Sequence, residues 1–181
     1  MKPRSHLHFG LRSLLTAGLL LAAAAASAIA RDELPARIQV VWAPTEQLTE
    51  VKNNPIDHGW MRPAEWEQRL SDHLRVRADR VLPPGQQLQV MVDDIDLAGA
   101  FEPWRHSNAQ DIRYMKDIYP PRMKLHYKLT AADGSTIREN EVKLSDSAYL
   151  QRAVPGDSTD PLRYDKRMLD DWLYKEFVAR Q

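Results

Sequence analysis

The sequence predicts an α+β fold: a four-stranded mixed sheet, built in the order strand-helix-strand-strand-strand-helix, with two helices packed on one face. Three observations support this prediction. Two stretches repeat apolar residues every three or four positions, as amphipathic helices do. Residues 123–129 alternate apolar and polar side chains, which is typical of a sheet with one buried and one solvated face. The Asp133-Gly134 dipeptide that follows them is a hairpin turn signal.

The outer elements are marked by their ends. A first strand is predicted at residues 37–42, which are rich in β-favouring side chains. A helix is predicted from about Pro63 to Leu82, because Pro63 suits a first helical position and residues 83–85 (Pro-Pro-Gly) stop the pattern. A second helix closes the chain, with Asp160 as a good N-cap and Pro161 as a good first residue. Its apolar face is formed by Leu162, Leu169, Trp172, Leu173 and Phe177.

The hairpin has a testable register if Asp133 and Gly134 are its two loop residues. The charged pairs on the solvated face are then Lys128–Glu139 and His126–Glu141. The apolar pairs on the buried face are Leu125–Val142 and Met123–Leu144. Opposite charges and apolar pairs both stabilise neighbouring strands, and a slip of one residue would scramble both faces. We therefore expect this register, and a structural role for His126.

Residues 90–97 (VMVDDIDL) begin as a buried strand and then place three carboxylates within four positions. On a straight strand Asp94 and Asp96 would share the buried face of the preceding valines, and burying unpaired carboxylates costs several kcal/mol. The apolar positions instead change from even numbers to odd numbers at Ile95 and Leu97. A β-bulge near Asp93-Asp94 would produce this change, return the apolar residues to the core and turn the acids outward.

The first thirty residues have the anatomy of a secretory signal peptide. A basic leader precedes an uncharged Leu- and Ala-rich stretch from Ser13 to Ala30, with small residues for cleavage after Ala30 or Ala28. The alternative is an uncleaved membrane anchor. Cleavage leaves residues 31–181 as a single α+β domain without a membrane span. We therefore expect the protein in the periplasm.

The composition of the exported part excludes several classes of function. Its 22 basic and 25 acidic residues give a net charge of −3, so there is no basic footprint for nucleic acid. The chain contains no cysteine, which excludes disulfides, thiolate metal sites and a lipid-modified cysteine. We expect no cofactor and no bound metal. The possible partner is an envelope protein or another cell-envelope component, and the sequence does not indicate an oligomeric state.

The acidic cluster has three interpretations. A calcium loop starting at Asp94 fails, because Ala98 and Arg105 occupy ligand positions. A small hydrolase-like enzyme would use Asp93, Asp94 and Asp96 together with His106, since two acids with separated pKa values can divide acid and base roles. The bulged strand explains the pattern without chemistry.

The segment from Ala98 to Pro121 is the second candidate region. It concentrates aromatic and cationic side chains in more than twenty residues without a clear element, which is often functional. Such residues are favoured at recognition hot spots, but they also suit a second, smaller core over the open side of the sheet. We expect Asp94 or Asp96 to pair with Arg105 or Arg113, which would order the segment. The candidate binding residues are Asp94, Asp96, Trp104, Arg105, Arg113 and Tyr114.

Several short motifs resemble a family of exported Gram-negative bacterial proteins known as domain of unknown function 3016. They are Leu82-Pro83-Pro84-Gly85-Gln86, Asp94-Ile95-Asp96-Leu97-Ala98-Gly99, Asp111-Ile112-Arg113, Pro121-Arg122-Met123, Asp133-Gly134, Glu141-Val142-Lys143-Leu144-Ser145-Asp146 and Leu162-Arg163-Tyr164-Asp165-Lys166-Arg167. The resemblance continues to Trp172, and residues 45–51 depart from the more usual Phe-Thr-Asp-like stretch. It implies export and the domain extent, and it implies no activity.

Two functions follow as hypotheses. The first is a non-enzymatic binding or adaptor module of the cell envelope that uses the Ala98–Pro121 segment with Asp94 and Asp96 at its root. The second is the hydrolase-like enzyme. Salt bridges from the acids to the loop arginines without a cleft would contradict the enzyme, and convergence of the acids with His106 in a pocket would weaken the binding module.

Overall fold

A computed structural model describes residues 34–54, 60–105, 111–152 and 159–179. The predicted signal peptide, residues 1–30, lies outside the described residues. In chain order the strands and helices are β1 (Ile38–Trp42), α1 (Thr49–Asn53), α2 (Pro63–Val81), β2 (Gln87–Asp96), β3 (Ala100–Phe101), β4 (Arg113–Tyr114), β5 (Arg122–Thr130), β6 (Thr136–Ser145) and α3 (Arg163–Phe177). A single 3₁₀ turn, Thr45–Gln47, precedes α1.

The main sheet confirms the predicted α+β fold. Its strand order is β1-β2-β5-β6, in which β1 and β2 are parallel and the other neighbours are antiparallel. Strands β3 and β4 form a separate two-stranded ribbon inside the segment that was predicted to be irregular. The short helix α1 was not predicted; it lies between the predicted first strand and the predicted helix that begins at Pro63.

The core lies between the two long helices and the apolar face of the sheet. Helix α2 contributes Trp66, Leu70, Leu74 and Ala78, all buried. Helix α3 contributes the stripe predicted from its spacing, with Leu169, Trp172 and Phe177 buried. Each leucine or phenylalanine side chain among them contributes about 1.5–3 kcal/mol when fully buried. No helix of the described residues is long and apolar enough to cross a membrane.

The register of the β5–β6 hairpin is confirmed, and its turn is different from the predicted one. All four predicted pairs are present, from Met123–Leu144 to Lys128–Glu139. The turn has three loop residues, closed by the Gly134 N–H donating to the Ala131 carbonyl at 3.0 Å. Gly134 has a φ of 84°, a left-handed conformation that suits glycine. An irregularity next to Leu129 offsets the extra loop residue, so the predicted register survives.

Helix α3 begins two residues later than predicted. Asp160 still caps the helix entry, because its Oδ1 accepts the backbone N–H of Leu162 at 3.0 Å. The same carboxylate binds the Lys166 Nζ at 2.6 Å and the Arg69 Nη2 at 2.9 Å. The α-helical hydrogen-bonding pattern therefore starts at Arg163, after a turn that Asp160 fixes.

Candidate functional site

The acidic stretch of β2 contains the predicted bulge. Val92 lies opposite Leu125 and Asp94 lies opposite Lys124, so Asp93 is the extra residue. Beyond the bulge Ile95 and Leu97 are each 1 % exposed, as the change of apolar phase required. The bulge therefore removes the three carboxylates from the core and keeps the apolar side chains inside it.

The three acids have different partners. Asp93 lies 3.1 Å from His126 Nδ1 on the solvated face. Asp94 accepts the backbone N–H and the hydroxyl of Thr49, both at 2.7 Å, and so caps the first residue of α1. Asp96 lies 3.7 Å from the Arg122 guanidinium. Burial, followed by the charge of Glu50, raises the pKa of Asp96, while Arg122 and Arg113 oppose this shift.

A cleft of about 390 Å³ opens beside two of these acids. Its charged walls are formed by Asp94, Asp96, Arg122, Lys124 and Lys143. Within the described part of the chain, no group of three or more acidic or histidine side chains is arranged to hold a metal ion. The cleft thus has the character of a mixed-charge surface hollow.

Arg113 is anchored by a glutamate that the sequence analysis did not identify. Its Nη1 and Nη2 bind the two carboxylate oxygens of Glu50 at 2.6 and 2.9 Å, and both side chains are buried. Its Nε and Nη2 also donate to the carbonyls of Ala98 and Leu97. Its guanidinium lies 4.8 Å from the centre of the Trp60 ring. The expectation that Asp94 or Asp96 would pair with Arg113 is wrong.

Asp165 lies against the same buried cluster. It is fully buried, and its Oδ1 accepts the Ala98 N–H at 3.0 Å. Its Oδ2 has no hydrogen-bond partner among the described residues. Burial raises the pKa of Asp165 to about 7, although the hydrogen bond from Ala98 and the charge of Arg113 act in the opposite direction. Residues 97–98, at the root of the loop, are therefore held by Glu50, Arg113 and Asp165.

A second acidic residue organises the middle of the loop. The buried carboxylate of Glu102 accepts Lys116 Nζ at 2.5 Å and the Tyr119 hydroxyl at 2.8 Å. Arg105 lies 2.7 Å from the same carboxylate, so the expected pairing of Arg105 with Asp94 or Asp96 is also wrong. The hydrogen bond from Lys116 lowers the pKa of Glu102. The Arg105 guanidinium also lies 4.9 Å from the ring centre of Tyr114.

The loop also displays apolar side chains. Trp104 is 74 % exposed, Ile118 is 69 % exposed and Ile112 is 50 % exposed. We call these three side chains the loop surface. By contrast, Phe101 is buried and packs edge-on against Trp60, so the segment contains a small core as well as an exposed apolar surface.

The structure separates the six predicted binding residues into three places. Asp94 and Asp96 line the cleft. Arg113 is buried. Trp104, Arg105 and Tyr114 lie in the loop, and only the first of them belongs to the loop surface. His106, the histidine of the hydrolase hypothesis, lies outside the described residues.

Sequence reasoning missed the acids that hold the loop. Asp165 had a visible signal, because it lies three residues after Leu162 and four before Leu169 and so falls on the apolar stripe of α3. Glu50 and Glu102 had no such signal. They lie in stretches without periodicity, and their role depends on partners brought together by the fold.

No curated protein matches the chain. The family model described as "Protein of unknown function (DUF3016)" matches residues 36–175, which include every described strand and the greater part of α3. The chain belongs to the DUF3016 family.

Proposed function

We propose that the protein is an exported, non-enzymatic binding module of the cell envelope and that the loop surface is its contact site. The observation that carries this proposal is the 74 % exposure of Trp104 on a loop whose neighbouring side chains are tied down. Exposed aromatic residues on a rigid frame are typical of recognition hot spots. The predicted signal peptide supports a place in the periplasm.

The anchoring of the loop supports a binding role. Glu102 binds three side chains of the segment, and Arg113 binds both Glu50 and the backbone at the root of the loop. The described parts of the loop, residues 98–105 and 111–121, are fixed in this way, so they lose little conformational entropy when a partner binds and more of the contact energy becomes affinity. The partner expected is a protein or envelope component with an apolar pocket that accepts an indole ring.

The acidic cluster is better suited to holding helix α1 in place than to hydrolysis. Both carboxylate oxygens of Asp94 are occupied by Thr49. This leaves Asp96 as the available carboxylate of the cleft, whereas a hydrolase of the proposed kind needs two acids with separate roles. The occupation of Asp94 by Thr49, and not the cleft itself, therefore weighs against the hydrolase-like alternative.

The proposal is tested by capture of partners from envelope extract with immobilised protein that spans residues 31–181. We expect a reproducible partner with the wild type and loss of it with Trp104→Ala plus Ile118→Ala. Both side chains are largely exposed, so the double variant should keep its melting temperature. Tyr174→Ala is the matched control, because Tyr174 is an aromatic residue that is 61 % exposed on α3.

Two results would contradict the binding role. One is equal recovery of the partner with the double variant and the wild type. The other is recovery of nothing reproducible by the wild type. Arg113, although predicted as a contact residue, is unsuitable for this test because its removal would disturb the fold.

A further inference from the structure

The last strand of the sheet presents a long unpaired edge. Strand β6 is ten residues long, lies at the end of the strand order, and is paired on one side by β5. No described strand covers its other side. No proline interrupts the strand, although proline commonly blunts exposed edges. Half of its backbone donors and acceptors therefore face outward.

A groove with a mixed polar and apolar lining runs along this edge between β6 and α3. It has a volume of about 650 Å³, and its apolar lining includes Val142, Leu144, Met168 and Trp172. The two β6 side chains are only partly buried, although they pack against the core. A strand added to β6 would place its inward side chains over this groove.

The acidic side chains of the groove are already paired within the protein. Asp146 binds Arg152 and Arg167 at 2.7 and 2.6 Å. Asp171 binds the same Arg152 at 2.7 Å, and Glu176 binds a β6 residue, Arg138, at 3.1 Å. The charges left for an incoming strand are therefore Lys175 of α3 and those on the solvated face of β6, where Glu141 also lies 3.3 Å from Lys124 of β5.

We propose that β6 pairs antiparallel with β6 of a second copy of this chain, with the two-fold axis at Val142. The two four-stranded sheets would then form one continuous sheet of eight strands. The helices of both copies would lie on the same face. Val142 of each copy would meet its counterpart across the axis, beside the apolar side chains of the groove.

The charge pattern of β6 selects this register. Antiparallel pairing keeps like faces together only if the axis passes through a residue. With the axis at Asn140, Glu139 of each copy faces Glu141 of the other. With the axis at Glu141 or at Lys143, the residue on the axis faces the same residue of the second copy, so two like charges meet. At Val142, each Glu141 faces a Lys143, which gives two attractive pairs and no like-charge pair.

The geometry of the strand agrees with the same axis. The irregularity in β5–β6 pairing lies next to Leu129, so β6 pairs regularly from Arg138 to its end at Ser145. Val142 is close to the centre of that regular stretch. Charged residues on an edge strand prevent pairing when they would meet like charges. In this register Glu141 and Lys143 of β6 meet opposite charges in a second copy, so they do not prevent pairing.

The proposal is tested by sedimentation equilibrium of protein that spans residues 31–181. We expect a concentration-dependent dimer for the wild type. Lys143→Glu turns both attractive pairs into repulsive ones and should weaken dimerisation at least ~10-fold. The charge swap Glu141→Lys plus Lys143→Glu restores opposite charges across the axis and should restore the dimer. Lys175→Glu, a charge reversal on the α3 side of the groove, is the control and should leave the dimer unchanged.

The surface location of the changed side chains protects the test from misfolding. Lys143 and Glu141 are both exposed, so circular dichroism should show wild-type spectra and melting temperatures for all variants. A wild type that stays monomeric at hundreds of micromolar would overturn the proposal and leave the groove to a different partner. A dimer that survives Lys143→Glu, or that the charge swap fails to restore, would overturn it as well.

Discussion

The folded wild type should become less stable as the pH rises from about 4 to about 7, because Asp165 is buried. The Asp165→Asn substitution should abolish this pH dependence. Asp165 is fully buried, and its pKa is raised from 3.8 to about 7. Below pH 3.8 the carboxyl group is protonated in both the folded and the unfolded states. Above that pH the unfolded chain releases the proton first, so the free energy of unfolding falls as the pH rises towards about 7.

The magnitude follows from the difference between the two pKa values. A difference of about three units corresponds to about 4 kcal/mol, at about 1.4 kcal/mol for each unit. Near pH 4 the asparagine variant should be somewhat less stable than the wild type, because its amide donors lack partners at the buried Oδ2 position. By pH 7.5 the difference in unfolding free energy should have moved in favour of Asp165→Asn by about 4 kcal/mol.

Urea unfolding followed by tryptophan fluorescence at pH 4.5, 5.5, 6.5 and 7.5 measures this difference. Asp160→Asn is the matched control at the entry of the same helix. Burial tends to raise the pKa of Asp160, but Lys166 and the Leu162 N–H more than offset it and hold this pKa below its ordinary value. The change in unfolding free energy caused by Asp160→Asn should therefore be constant above pH 5. A difference for Asp165→Asn that changes by less than about 1 kcal/mol across the series would refute the reasoning.

Two further predictions concern the root of the loop. Arg113→Ala leaves Glu50 buried without its partner and should lower the unfolding free energy by about 3–5 kcal/mol in urea; a loss below 1 kcal/mol would contradict the buried ion pair. Asp94→Ala removes both bonds to Thr49 and should cost about 1–2 kcal/mol, whereas Asp96→Ala should change stability by less than about 0.5 kcal/mol because its partner Arg122 is exposed and 3.7 Å away. Equal losses for the two aspartates would show that Asp94 does not support α1.

Periodic features of the sequence predicted the sheet well. The β5–β6 register and the bulge at Asp93 depend on alternation within one strand or between two adjacent strands, so local reading was sufficient. The turn was less predictable, since one extra residue in the loop is offset by an irregularity beside Leu129. Patterning constrains which side chains face the core, and several turn geometries satisfy the same constraint.

The partners of the loop could not be read in the same way. Glu50 and Arg113 are 63 residues apart, and neither lies in a periodic stretch. Helix α1, which positions Glu50, has five residues and is capped by Asp94 from β2. Helices this short form through tertiary contacts rather than through their own propensity. The aspartates nearest in sequence to the loop were therefore the natural candidates, and the fold brought a more distant glutamate to Arg113.

The root of the loop combines a cost in stability with a gain in local order. Near neutral pH, ionised Asp165 carries a desolvation cost that the whole fold bears. The same charge strengthens the hydrogen bond from Ala98 and attracts Arg113, which holds the Ala98 carbonyl. Ionisation therefore weakens the fold against unfolding while it tightens residue 98, from which the loop departs. Under the proposed binding role, a loop that displays Trp104 benefits from that second effect, which gives a physical reason for an acid at position 165. An apolar side chain at this position would leave the buried Ala98 N–H without its acceptor.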